Sequence, residues 1–108
     1  EELAVLYSNA VLYLNASMEE GFCLPILEAQ SCEALCLVSE IPTFKELCNG
    51  SVMYFNPYKT ADLERKLTDI LKNKNQYKEF IYKGLTNTKR FSWSQTAEKT
   101  VKLFKELV

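Results

Sequence analysis

The chain has 108 residues, 47% of them hydrophobic and 25% charged, and its 13 basic and 14 acidic side chains leave a net charge of −1. A nearly neutral chain offers no basic surface for nucleic acid or for an anionic membrane, so no nucleic-acid partner is predicted. No apolar run reaches the roughly 18 residues that a membrane-spanning helix needs, so no transmembrane segment is predicted. We therefore expect a small globular domain in the cytoplasm.

The first half of the chain alternates between short helical patterns and compact apolar runs. The predicted helices cover residues 1–9, 24–34 and 41–50. The predicted strands cover residues 10–15, 35–40 and 51–55. Such alternation is typical of parallel βαβ units, so the three strands should pair in chain order.

The second half of the chain is predicted to be helical. A helix with apolar residues at helical spacing should follow a Thr60 cap, and Phe80 belongs to a second helix. The last helix should begin at the capping box formed by Ser92 and Gln95. The expected fold is part of an α/β, Rossmann-like parallel sheet with helices on both faces and a helical C-terminal tail. The first strand has no evident partner on one edge, which suggests that part of the sheet lies outside this chain.

The four cysteines, Cys23, Cys32, Cys36 and Cys48, form no CxxC pair, and the chain has no histidine. A zinc site would need all four thiolates at irregular spacing, whereas buried free thiols in a reducing cytosol explain the pattern more simply. The lack of histidine also removes Ser-His and Cys-His nucleophile schemes. No metal and no cofactor are predicted.

Two carboxylates, Glu20 and Glu28, flank a short apolar stretch after the first predicted strand. Parallel sheets bind ligands at the carboxyl ends of their strands, where Gly21 would let the backbone approach a ligand closely. Free amides at the start of the helix 24–34 would favour an anion such as a diphosphate. Glu28, one turn further on a half-apolar face, could accept hydrogen bonds from two vicinal sugar hydroxyls, and Glu20 could reach a second set. The alternative is that Glu28 only complements the positive end of the helix dipole.

The segment "EGFCLPILEAQSCEALCLVSEIPTFKEL" resembles the E-x7-E segment of retaining GT-B glycosyltransferases of family 4, the glycosyl transferases group 1. The segments "LYSNAVLYLNAS", "NGSVMYFNPYKTADLERKL" and "RFSWSQTAEKTVKLFKEL" resemble further parts of that family in the same order. The resemblance implies that residues 1–108 are the C-terminal nucleotide-sugar-binding segment of such an enzyme. The N-terminal acceptor domain, lying outside this chain, would then be a partner, and it could carry any peripheral membrane association.

The resemblance also implies roles for individual residues. Glu28 matches the glutamate that holds the ribose of the nucleotide, and Glu20 matches the catalytic-site glutamate beside the donor sugar. The loop whose backbone amides meet the sugar and the diphosphate is matched by Gly21, Phe22, Cys23 and Leu24. Cys23 and Glu33 stand where the family has glycines, and because of Cys23 the loop could approach the sugar less closely.

The function that follows is donor binding in a retaining glycosyltransferase, which moves a sugar from a nucleoside-diphosphate sugar to an acceptor. Lys45 is the only basic residue before position 58, so the groups that neutralise the leaving diphosphate should lie elsewhere in the enzyme and the segment alone should be inactive. One alternative is a non-catalytic α/β interaction module derived from the same fold. A nucleotide-sugar epimerase of related architecture is disfavoured by the absence of histidine.

Overall fold

The computed structural model describes all residues from Glu1 to Val108. Its elements are α1 (Glu2–Asn9), β1 (Tyr13–Asn15), α2 (Leu24–Ser31), β2 (Cys36–Ser39), α3 (Pro42–Cys48), β3 (Met53–Phe55), α4 (Thr60–Lys72), a 3-10 helix (Lys74–Tyr77), α5 (Glu79–Thr88) and α6 (Trp93–Leu107). The predicted order of helices and strands is confirmed. None of the helices combines the length and the apolar character needed to cross a bilayer.

The sheet has three parallel strands in the order β1-β2-β3, as predicted. Leu14 lies opposite Leu37, and Leu37 lies opposite Met53, so β2 occupies the centre and all of its residues are buried. β1 is shorter than the predicted strand because only its residues 13–15 find partners on β2. Its other edge is unpaired.

Helices cover both faces of the sheet. On one face, Cys36 and Val38 pack with Ile26 of α2 and Phe44 of α3. On the other face, Leu37 and the residues Met53 and Phe55 of β3 pack with Ile70 of α4. The alternation of side chains along a strand sends neighbouring residues of β2 into these two separate cores.

The structure confirms one of the two predicted helix caps and contradicts the other. Ser92 caps α6, because its Oγ accepts a hydrogen bond of 3.0 Å from the backbone N–H of Gln95. The predicted Thr60 cap is wrong, because α4 begins at Thr60 and its N-cap residue makes no side-chain hydrogen bond. The carboxylate of Asp62 in the first turn accepts a hydrogen bond of 2.8 Å from the backbone N–H of Asn56, which lies before the helix.

A buried polar network fixes α2 against α3, α5 and the turn that precedes β3. The Gln30 amide donates to Ser51 Oγ at 2.7 Å, and the Asn87 amide donates to Gln30 Oε1 at 3.0 Å and to the Leu47 carbonyl at 3.1 Å. Arg90 in turn donates to Asn87 Oδ1 at 2.7 Å. Because these groups are satisfied away from water, the network sets the position of α2, the helix that carries Glu28.

Candidate functional site

The loop between β1 and α2 lies at the carboxyl end of the sheet, and Asn15 holds both of its ends. Asn15 Oδ1 accepts a hydrogen bond of 2.9 Å from the Ser17 backbone N–H, and its amide nitrogen lies 3.2 Å from Cys23 Sγ and 3.3 Å from the Tyr13 hydroxyl. The Asn15 carbonyl also accepts from Ser39 Oγ at 3.3 Å. Sequence reasoning missed Asn15, although an asparagine at the end of an apolar strand is a common signal of an ordered turn.

Glu20 is exposed at the tip of this loop and is held by two neighbours. Its Oε1 accepts a hydrogen bond of 3.2 Å from Ser17 Oγ, and its backbone carbonyl accepts one of 2.8 Å from Thr43 Oγ1 on α3. Glu20 and Gly21 line an open cavity of about 640 Å³ beside Pro42. The Glu20 carboxylate is thus exposed to solvent. Its loop is hydrogen-bonded to β1 through Asn15 and to α3 through Thr43.

The backbone N–H groups of residues 21–24 donate to no group of the chain. Pro25 has no N–H, and the N–H of Ile26 donates to the Cys23 carbonyl at 3.3 Å, so the run of unused donors, which also includes residues 18–20, ends at the start of the helix. Free N–H groups at a helix N-terminus favour negative charge. This part of the loop can therefore bind an anion without rearranging hydrogen bonds inside the chain.

Cys23 has a backbone conformation that glycine adopts more easily. It is the N-cap residue of α2, with φ 94° and ψ 73°, and its side chain makes no capping hydrogen bond. Side chains with a Cβ rarely occupy this left-handed region, so the conformation stores strain. Glu33, after α2, also has a positive φ of 61°. Both residues are among the departures from the family pattern, and at both the backbone keeps the conformation that glycine would favour.

Glu28 is half-buried on α2 and makes one hydrogen bond within the chain. Its Oε2 accepts from the Tyr7 hydroxyl at 3.3 Å. Burial raises the pKa of Tyr7 and the Glu28 carboxylate raises it further, so this hydroxyl keeps its proton at neutral pH. Glu28 also lines a second cavity, of about 270 Å³, with Phe22, Leu24 and Trp93.

The structure thus divides the predicted site residues between two neighbouring cavities. Glu20 and Gly21 line the first, whereas Phe22, Leu24 and Glu28 line the second. Cys23 stands between these residues in the chain. The loop and the first turn of α2 place all of them within one short segment, with the free amides of residues 21–24 between the two glutamates.

The four cysteines are free thiols and form no disulfide bond with one another. Cys36 and Cys48 are buried, and burial raises the pKa of each thiol to about 12, so both stay protonated at neutral pH. Cys23 and Cys32 are half-buried. No three side chains among the aspartates, glutamates and cysteines come together in a group that could hold a metal ion.

The sequence profile described as "Glycosyl transferases group 1" matches residues 1–86. The chain belongs to this glycosyltransferase family. The match includes α1, the loop after β1, all of α2 and the three strands, so it covers every site residue that the sequence predicts.

Curated relatives of this glycosyltransferase segment include mannosyltransferases. The chain is 33% identical over 108 residues to the serotype-specific mannosyltransferase WbdA of Escherichia coli, and it spans 13% of that protein. It is 28% identical over 107 residues to the O-antigen chain mannosyltransferase B of Escherichia coli and spans 28% of it. It is 35% identical over 80 residues to the O-antigen chain mannosyltransferase RfbU of Salmonella typhimurium, covering 74% of this chain and 22% of RfbU.

A solved structure has the same fold. The sucrose-phosphate synthase from Thermosynechococcus elongatus superposes with a TM-score of 0.84 at 22% sequence identity. The aligned region covers 98% of this chain and 27% of the synthase. The glycosyltransferase segment therefore has the Rossmann-like GT-B architecture that its sequence predicts.

Proposed function

We propose that residues 1–108 form the donor-binding segment of a retaining family 4 glycosyltransferase, with Glu20 and Glu28 as its E-x7-E pair. The observation that carries this proposal is the set of unused amides at residues 21–24, flanked by the two glutamates. The amides bind the diphosphate of a nucleoside-diphosphate sugar. Glu28 binds the ribose hydroxyls, and Glu20 lies beside the sugar that is transferred.

The segment supplies little positive charge to the leaving diphosphate. Lys45 pairs with Glu40 at 3.0 Å, and the chain has no other basic residue before position 58. Charge that develops in the transition state needs preorganised donors, and the free amides supply only part of them. Basic groups and the acceptor site therefore belong to the N-terminal part of the complete enzyme, and the segment alone does not transfer sugar. No metal is required.

The names of the relatives suggest a donor sugar. The relatives are mannosyltransferases, so mannose is the first sugar to test as the transferred group. The reaction would use activated sugar made in the cytoplasm. Its acceptor would be bound by the N-terminal part of the enzyme.

A non-catalytic interaction module remains the second candidate. The exposed apolar side chains of α6, among them Trp93, Phe104 and Leu107, would provide its contact surface. In this case the free amides and the two glutamates would bind no nucleotide. Ligand titration therefore separates the two functions.

The test is a titration of nucleoside diphosphates against the full-length protein and its Glu28→Ala, Glu28→Gln and Glu64→Ala variants. Hydrogen bonds to charged groups contribute roughly 1.5–3 kcal/mol, so Glu28→Ala should weaken binding by about tenfold or more. Glu28→Gln keeps one acceptor oxygen and should lose less. Glu64 is exposed on α4 without a partner, so Glu64→Ala should bind as the unaltered protein does. Unchanged binding by a folded Glu28→Ala variant would contradict the proposal.

A further inference from the structure

The carboxylate of Glu28 has most of its acceptor capacity unused. Only its Oε2 takes part in a hydrogen bond, with the Tyr7 hydroxyl, and Glu28 belongs to none of the ion pairs of the chain. An ionised carboxylate can accept about four hydrogen bonds. One oxygen is therefore held by the protein while the other is available to a ligand.

Tyr7 is itself held in place by contacts that do not involve its hydroxyl. It is the only residue of α1 that is not exposed. Its ring packs edge to face against the ring of Tyr13 on β1, with 5.9 Å between the ring centres and an angle of 71°. Because Tyr13 is fixed in the sheet, the Tyr7 hydroxyl reaches Glu28 from a defined direction.

We propose that Tyr7 is a positioning residue, which orients the Glu28 carboxylate so that its free oxygen accepts hydrogen bonds from two vicinal hydroxyls of the nucleotide ribose. This inference rests on the proposed function. A glutamate that is already held loses less side-chain freedom when the ligand binds, so the preorganised carboxylate binds more tightly than a mobile one. The remainder of α1 is exposed, so Tyr7 is the residue through which this helix acts on the site.

A single substitution at Tyr7 can distinguish a positioning role from a structural one. Tyr7→Phe keeps the ring and its packing against Tyr13 while removing only the hydroxyl. A structural role would lower stability and would affect every ligand alike. A positioning role affects only ligands that carry the hydroxyls that Glu28 binds, and only when Glu28 is present.

The experiment uses the full-length protein and measures binding of GDP, UDP and ADP, each beside its 2′-deoxy form, by calorimetric titration. The variants are Tyr7→Phe, Glu28→Ala, the double variant and the control Tyr82→Phe, since Tyr82 is 71% exposed on α5. For the diphosphate that binds, Tyr7→Phe should raise the Kd about fivefold, in line with the loss of one hydrogen bond. It should change the Kd of the 2′-deoxy form less, because only the 3′ hydroxyl then remains for Glu28, and it should have no further effect in Glu28→Ala.

Each outcome has a distinct meaning. If Glu28→Ala weakens binding but Tyr7→Phe matches the unaltered protein, the positioning role is wrong and the proposed function stands. An equal loss for the ribose and 2′-deoxy forms, or an equal loss with and without Glu28, also overturns the positioning role. If none of the three diphosphates binds, or Glu28→Ala binds them normally, the proposed function itself fails. Thermal unfolding midpoints establish that each variant is folded.

Discussion

Helices α2 and α6 differ in what stabilises them. α2 has eight residues, four of them buried, and begins at a strained Cys23 that supplies no side-chain cap. α6 has 15 residues, a Ser92 cap and a regular apolar stripe, yet none of its residues is buried. α2 thus depends on contacts with distant parts of the chain, whereas α6 is specified by its own local signals. Of the candidate site residues, Leu24 and Glu28 lie on the helix that tertiary contacts hold, and the others lie in the loop that precedes it.

The largest expected effect is a difference between the same substitution in the two helices. Leu27 on α2 is 7% exposed and Leu103 on α6 is 54% exposed. Leu27→Ala should lower the free energy of unfolding of the 108-residue chain by about 2–5 kcal/mol, because it leaves a cavity in the core. Leu103→Ala should change it by less than about 0.5 kcal/mol. Urea titration measures both, and equal losses would show that α6 is packed as tightly as α2.

The second comparison is between Asn87 in the buried polar network of α2 and the more exposed Asn73 at the end of α4. Asn87→Ala removes the partner of Gln30 Oε1 and of the Leu47 carbonyl, so it should cost about 1–3 kcal/mol of unfolding free energy. Asn73 donates to Asp69 at the exposed end of α4, and Asn73→Ala should cost only a few tenths of a kcal/mol, roughly. Chemical denaturation of both variants tests this difference. Similar losses would mean that the buried network does not hold α2 in place.

A smaller effect is expected at the start of α2. Cys23→Gly relieves the left-handed strain but increases the freedom of the unfolded chain, so we expect a net gain of about 0.5 kcal/mol. Cys32 at the other end of α2 has a φ of −96°, so Cys32→Gly should instead lose about 0.5–1 kcal/mol. The thermal unfolding midpoint should therefore move in opposite directions in the two variants. A fall in both would show that the Cys23 side chain outweighs its backbone strain.

In α4 a carboxylate of the first turn holds the segment that precedes the helix, since Asp62 accepts a hydrogen bond from the Asn56 backbone N–H. The Asn56 backbone N–H, and then Arg65, lower the pKa of Asp62 to about 2. A carboxyl with a lowered pKa stabilises the folded state above the pKa of the unfolded chain, about 4, and this contribution disappears as the pH falls toward 2. Asp62→Asn should therefore differ most from the unaltered protein at neutral pH, and the difference should shrink between about pH 4 and pH 2. Unfolding curves that stay equally far apart over this range would contradict the assignment.

Much of the candidate site could be predicted because it lies in one continuous segment. The segment from Glu20 to Glu28 follows an apolar strand and begins a helix, so its spacing and its place at the sheet edge can be read from the sequence. Their roles in donor binding remain predictions. Asn15 and Tyr7 were missed because each acts through a contact that depends on how α1, the loop and α2 pack together.

The sequence by itself determined the order of the elements, the parallel pairing of the strands and the membership of the glycosyltransferase family, since apolar periodicity and motif spacing are local properties. Only the tertiary structure decided the contacts between residues that are far apart in the chain. Asn87 reaches Gln30 across 57 positions, and the Tyr7 hydroxyl reaches Glu28 across 21. It also decided that the apolar stripe of α6 is exposed and that Thr60 does not cap α4, whereas Asp62 binds the backbone of Asn56 before that helix. Such outcomes depend on which surfaces meet when the elements pack, and periodicity alone carries no information about that.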